Sequence, residues 1–470
     1  MTDAVVVGAG PNGLAAAVAL AEAGRSVLVL EAEETIGGGC RSAELTLPGF
    51  LHDVCSAIHP LAASSPFFQS LPLASHGLSF IQPPVALAHP FDDGTAALLT
   101  RSIDDTAASL GRDGGSYKQL LAPMVSDFEA LAAQLLGPLR PPRHPIALVR
   151  FGLPALRSAQ GLALSHFAES RARALFAGLA AHSVRDLQRP ATAAIGLVLA
   201  LFGHAVGWPV VQGGSQQIAH ALGAYLRSLG GTIETGMTVT SLDLAADANA
   251  VLFDVTPRQF LAIAGDQVPP RFRRQLGRYR YGWGVFKLDW ALDGPVPWTA
   301  AGCGEAGTLH LGGTMEEIVA AEHDVALNRH PERPFVLVGQ QSLFDPTRCP
   351  DGKQTLWGYC HVPNGSTVDM TEAIEAQIER FAPGFRERIL ARSVMRPVDL
   401  ERYNANYVGG DINGGVQDLR QIFTRPAPRL DPYSTPNRRL YFCSASTPPG
   451  GGVHGMAGYF AAQSALKRAW

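Results

Sequence analysis

The stretch from Ala4 to Glu31, AVVVGAGPNGLAAAVALAEAGRSVLVLE, constrains the fold more than any other part of the chain. Four apolar residues, Ala4 to Val7, read as a buried parallel strand that runs into Gly8, Gly10 and Gly13, and an alanine-rich helix follows to about Gly24. A second apolar run, Val27 to Leu30, closes on Glu31. This is a βαβ unit with a dinucleotide fingerprint in its required context. Gly8 permits the tight turn, Gly10 lets the backbone approach a pyrophosphate, and Gly13 lets helix and strand pack closely, with the anion on the free N–H groups of the helix start. Glu31 stands where a carboxylate accepts both ribose hydroxyls.

At 470 residues the chain has room for two or three domains. Only 17% of residues are charged against 46% hydrophobic, which calls for extensive buried surface, an apolar ligand cavity or membrane contact. A net charge of −3 and the lack of any Lys/Arg-dense tract argue against nucleic acid as a partner. The six cysteines are scattered and never form CxxC, so neither a metal site nor a redox disulfide is expected. Free thiols and a first strand that begins just after Met1 give a cytoplasmic expectation. The longest apolar stretch, Ala191 to Trp208, is interrupted by Gly196, Gly203 and His204 and reads as a buried helix.

After Glu31 the cluster IGGGCRS forms a second Gly-rich turn, suited to the far phosphate, with Arg41 as an added cation. His59 follows, either facing the ligand or as a satisfied structural histidine. From about 77 to 207 short β-like runs give way to long helical patterns, including Tyr117 to Leu136 and Phe167 to Ala181, and the region reads as an inserted helical cap. Within it Leu139 to Ala159 carries Arg140, Arg143, His144, Arg150 and Arg157 among apolar residues. That pattern suits an anionic bilayer surface or a solvated helix face. The chain returns to the nucleotide domain over 208–259, where GGSQQIAHAL opens a helix and Ala250 to Val255 adds a strand. A second excursion, 260–424, reads as a mixed α+β substrate domain with strands at Gly284–Trp290, Phe335–Gln340 and Thr355–His361, and helices at Met370–Ala382 and Phe385–Ala391. In it, YVGGDINGG holds Asp411 in a bend that either meets a ligand or is a plain loop.

The tail, LYFCSASTPPGGGVHGMAGYFAAQSAL, is the second strong signal. A strand leads to three glycines and then to a helix that starts near Met456. Glycines bring main-chain N–H groups against a flat ring, and the helix start directs its positive end there. A flavin needs this arrangement, because taking a hydride leaves negative charge that fixed donors stabilise, each by about 1.5–3 kcal/mol. The expected fold is therefore α/β plus α+β. A discontinuous Rossmann-type FAD-binding domain (1–76, 208–259 and 425–470) is joined by the cap and the mixed-sheet domain.

GAGPNG with Glu31, GGGCRS, FLHDVCSAIHP, GGSQQIAHAL with GGTIETGMTV, and STPPGGGVHGMAG together resemble the phytoene desaturase and carotenoid isomerase group of the FAD-dependent amine oxidase superfamily. CGEAGTLHLGG, FVLVGQQSLFDPTR, YCHVPNGST and NYVGGDINGG look like the pyridine nucleotide-disulfide oxidoreductase domain-containing protein 2 subgroup. The resemblance implies FAD contacts at Gly8, Gly10, Gly13, Glu31 and Val239 for adenosine, with Pro11, Asn12 and Ala32 in the same turns. For pyrophosphate and flavin it implies Gly38, Gly39, Cys40, Arg41, Ser42, Ser444, Gly452, Val453 and Met456. His454 stands where polyene desaturases tend to carry proline, and an imidazole beside a flavin can move a proton.

The leading expectation is an FAD-dependent desaturase or isomerase acting on an apolar isoprenoid or lipid-like substrate, with quinone or oxygen as electron acceptor and peripheral membrane contact. His454, His59, His361 and Asp411 are the acid/base candidates. An amine oxidase is the alternative and would draw on Tyr407, Tyr459 and Lys287. A third reading is a flavoprotein that binds a partner without turnover.

Overall fold

Residues 2–470 are described by the computed structural model, which builds the chain around two sheets. The first has five strands in the order Leu440–Phe442, Ala250–Phe253, Ala4–Val7, Val27–Leu30 and Thr232–Glu234, all parallel. Ala4–Val7 takes the middle because it is apolar on both faces. Ala4 and Val6 pack with the helices Pro11–Glu22, Gln216–Ser228 and Met456–Arg468, while Val5 and Val7 pack with Phe253, Phe260 and Phe272 on the other side. Segments from both chain ends and the middle thus meet in one layer. Its carboxyl edge is where a parallel sheet receives ligands.

The second sheet has seven strands in the order Ile389–Met395, Gly284–Leu292, Gln354–Val362, Val336–Gly339, Ala306–Leu311, Val85–Pro90 and Ala96–Leu99. All neighbours are antiparallel except Ala306–Leu311 with Val85–Pro90. One face buries Phe286, Leu288, Trp290, Val336 and Leu356 in a core of its own. The other carries Thr308, His310, Leu337, Trp357, Tyr359 and His361, because residues two apart on a strand share a face.

Two local expectations change. Phe385–Ala391 is not a helix: a short 3-10 turn at Arg386–Arg388 passes into the edge strand Ile389–Met395, whose residues alternate between half-buried and exposed as one side packs and the other meets water. The β-like runs that open the range 77–207 include two strands of the mixed sheet, Val85–Pro90 and Ala96–Leu99, ahead of its helices. Tyr117 to Leu136 is two helices, Gly114–Ser126 and Phe128–Leu135, broken at Asp127. The apolar stretch forms the helix Ala193–Ala205, and no helix among the described residues is long and apolar enough to cross a membrane.

Candidate functional site

The glycine turn after the first strand is fixed by contacts that only glycine permits. Gly8 has φ +99° and its N–H donates to the Leu30 carbonyl. A Cβ on Gly13 would overlap the Gly8 carbonyl oxygen, and one on Gly10 would lie 2.6 Å from Asp254 Oδ2. Asp254 follows the strand Ala250–Phe253 and accepts the Gly13 N–H at 2.9 Å. Burial, and then the neighbouring Glu31, push its carboxyl well above the usual range, which favours the neutral acid. Glu31 is buried: Oε2 accepts the Ala9 N–H at 2.7 Å, while Oε1 accepts from Glu33 N–H and, at 3.3 Å, from Arg41. It ties the second strand to the turn.

A cavity of about 300 Å³ lies against this turn. It is lined by Gly10, Pro11, Asn12, Gly38, Gly39, Cys40, Ser444, Gly452 and Val453, so the structure brings the first, second and last glycine turns to one space. Of the other expected cofactor residues, Gly8, Gly13, Glu31, Ala32, Arg41, Ser42, Val239 and Met456 do not line the cavity. Arg41 packs its guanidinium over the Tyr403 ring, Ser42 bonds Asp53, and Met456 starts the last helix. These residues fit FAD. Side chains are absent where a long ligand would pass, since a Cβ on Gly39 would overlap Tyr407 Oη and one on Gly38 would come within 3.2 Å of Gly10 Cα. The buried Asn12 Oδ1 has no hydrogen-bond partner, and a neutral Asp254 can face a pyrophosphate without like-charge repulsion.

The four acid/base candidates lie outside the cavity lining. His454 accepts the Met456 N–H at 3.0 Å on Nδ1, so Nε2 carries the proton toward the Gly450 carbonyl, and burial lowers its pKa to about 4. Both nitrogens serve the backbone that shapes the last turn. His59 bonds Ser215 at 2.8 Å, and burial lowers it to about 4. His361 Nδ1 pairs with the buried Glu322 at 2.9 Å. Asp411 accepts the N–H groups of Gly282 and Asn413, and burial raises its pKa.

Several lining residues were not foreseen. Asp254 follows a parallel strand at the ligand-binding edge, a position that could have marked it. Asn404 and Asn406 approach beside Tyr407, and Asn406 bonds the Asp254 carbonyl and the Thr256 N–H. At the other end the wall is Ile58, His182, Val184, Trp208, Thr308, Leu337, Trp357 and Tyr359. His182 Nε2 lies 2.9 Å from His310 Nε2, and burial lowers His182 to about 3. A neutral His182 and the Tyr359 phenol, whose pKa burial raises, are the titratable side chains at that end. Lys287 is paired with Asp289 under the Trp357 ring, and Tyr459 packs on Phe67; neither lines the cavity.

Residues 6–71 match the model of the NAD(P)-binding Rossmann-like domain. The chain is 28% identical to pyridine nucleotide-disulfide oxidoreductase domain-containing protein 2 of Mus musculus, over 98% of this chain and 92% of that protein. It is 25% identical to all-trans-zeta-carotene desaturase of Myxococcus xanthus, over 96% and 90%. Among solved structures, a putrescine oxidase with redesigned cofactor binding shares the fold with a TM-score of 0.63 at 18% identity, covering 99% of this chain and 98% of that one. Similarity to the first two proteins runs nearly the length of both chains, and the two-sheet fold is the one this oxidase has.

Proposed function

We propose that the protein is a desaturase or isomerase of an apolar, isoprenoid or lipid-like substrate, passing electrons on to a quinone or oxygen. One observation carries the reading: among the residues lining the cavity the only one of the types Asp, Glu, Lys or Arg is Asp254, at the nucleotide turn, and the far wall is aliphatic and aromatic. FAD, when bound, supplies the two-electron hydride acceptor. The chain's own part is to grip the dinucleotide with backbone at Gly10, Gly38, Gly39 and Gly452, to shed water from an apolar chamber, and to offer His182 as a neutral proton carrier. An ammonium substrate would find no carboxylate at the far wall, which counts against the amine oxidase alternative. Purified protein is expected to be yellow and, without oxygen, to bleach on mixing with polyenes or unsaturated lipids. Bleaching by amines alone overturns the reading.

Peripheral membrane contact belongs to the same proposal. The helix Pro145–Ala155 leaves Ile146 75% and Leu153 67% exposed, with Leu139, Val149 and Leu156 also exposed and Arg140, Arg143, Arg150 and Arg157 beside them. Apolar side chains ringed by arginines suit an anionic lipid surface. We expect cosedimentation with phosphatidylglycerol vesicles that weakens in salt. Ile146→Glu with Leu153→Glu should cut binding more than about tenfold, since each buried apolar side chain is worth about 1.5–3 kcal/mol, and leave Tm unchanged. Equal binding by the variant removes this helix from the contact.

A further inference from the structure

The far wall of the cavity is a face of the seven-stranded sheet, and its register places polar atoms deliberately around a gap. Thr308 pairs across the strands with Gly339, and Gly339 with Trp357, so the three stand in one row on the same face. His310, Leu337 and Tyr359 form the next row. Because Gly339 has no side chain, Gln341 Nε2 and the Cε3 edge of the Trp357 ring close over it to form a shelf; a Cβ there would lie 3.0 Å from the first and 3.4 Å from the second.

At this shelf three buried polar atoms have no hydrogen-bond partner among the described residues, Thr308 Oγ1, Gln341 Nε2 and Trp357 Nε1; further along the same face His310 Nδ1 and His361 Nε2 have none either. Thr308 is 1% exposed and Trp357 7%, and both line the cavity. Buried polar groups are nearly always satisfied, so three together mark a place where something else completes them. Their chemistry is one-sided. The indole N–H only donates, the amide NH₂ only donates, and the hydroxyl can donate. The missing partner is therefore an acceptor. It is also uncharged: the nearest cation on this face, Lys287, is already paired with Asp289, so a carboxylate would enter without a counter-charge. An ammonium would meet two groups that only donate and a single hydroxyl oxygen as acceptor.

We propose that this shelf receives a carbonyl oxygen, and hence that the substrate is an uncharged, carbonyl-bearing apolar molecule rather than a plain hydrocarbon, a fatty acid or an amine. The inference rests on the apolar-substrate reading above. The shelf orients such a molecule by its oxygen, and the aliphatic and aromatic lining takes its skeleton.

The test is calorimetric titration of the purified FAD-loaded protein with 2-decanone, 1-decene, decanoate and decylamine, four probes of one chain length. The ketone is expected to bind about tenfold tighter than each of the others, the size of one or two buried hydrogen bonds. Trp357→Phe keeps the ring and removes the N–H, and Thr308→Val keeps the shape and removes the hydroxyl. Each should weaken the ketone about five- to tenfold while leaving 1-decene nearly unchanged. Equal affinity for ketone and alkene, tighter binding of decanoate or decylamine, or variants that weaken ketone and alkene alike each overturn the proposal. If Trp357→Phe does not fold, Thr308→Val decides alone. A protein that takes up no FAD fails the flavoenzyme reading instead. A yellow protein that treats ketone and alkene alike keeps that reading and loses this one.

Discussion

Adding one methyl group at position 458 is expected to strip the protein of FAD and lower its melting temperature by about 3 °C or more. Gly458 lies in the helix Met456–Arg468, which crosses the helix Pro11–Glu22. A Cβ on Gly458 would overlap the Asn12 carbonyl oxygen and lie 2.8 Å from the Ala16 nitrogen. Both obstacles are backbone, so no rotamer change relieves them. Intrinsic propensity points the other way, since Gly→Ala inside a helix normally stabilises by about 1 kcal/mol. Overpacking costs about 1–3 kcal/mol even where side chains can move, and here they cannot, so the steric term wins. Asn12 lines the cavity and the last helix begins just after Gly452 and Val453, so pushing the two helices apart also separates two of the walls around the cofactor. Flavin content per chain and a thermal melt of Gly458→Ala check this together. Gly152→Ala, in an exposed helix with nothing within 4 Å of the new Cβ, is the control and should melt slightly higher. A Gly458→Ala protein with full flavin and an unshifted melt would show that the helix crossing is not a fixed wall of the site.

What the sequence disclosed about the site follows from how local each constraint is. The turns at Gly10, Gly38 and Gly452 were legible because a backbone without side chains leaves its mark in the residues themselves, and all three line one cavity. The donor shelf was not legible. Thr308, Gly339 and Trp357 become neighbours only through strand register, which no segment encodes by itself. Phe385–Ala391 reads as a helix for a related reason: Arg386, Leu390 and Ala391 are good helix formers, and the pairing of Ile389–Met395 with Gly284–Leu292 overrides that preference. His454 attracted attention by lying next to the glycine run. Its two nitrogens are taken up by Gly450 and Met456, a use of histidine that composition cannot distinguish from catalysis.

Stability is expected to collapse between about pH 6 and pH 4.5, and the histidines set that window. Burial holds His59, His89, His204 and His454 near 4 and His52 and His182 near 3, against an ordinary value of 6.5. An imidazole with a lowered native pKa stays neutral in the folded chain while the unfolded chain takes up a proton. Its contribution is fully present above pH 6.5 and is lost as pH falls toward the folded value. Three buried carboxyls oppose this. Asp289 is raised to about 6, and Asp254 and Asp411 are raised by burial, so the folded protein keeps protons there that the unfolded chain releases above its ordinary 3.8. His310 is also held well below its ordinary value, so more imidazoles than carboxyls change their proton uptake on folding, and each unmatched proton near pH 5 costs about 1.4 kcal/mol per pH unit. Total stabilities are about 5–15 kcal/mol, so two units of acid suffice to unfold the protein. Thermal melts from pH 7.5 to 4.5 should show Tm falling steeply below pH 6, and a flat profile down to pH 4.5 would contradict the assignment. His89→Gln isolates one member, because an amide can still donate to the Gly313 carbonyl as His89 does at 2.7 Å. That variant should reduce the slope by about 1.4 kcal/mol per pH unit without changing the cavity, which His89 does not line.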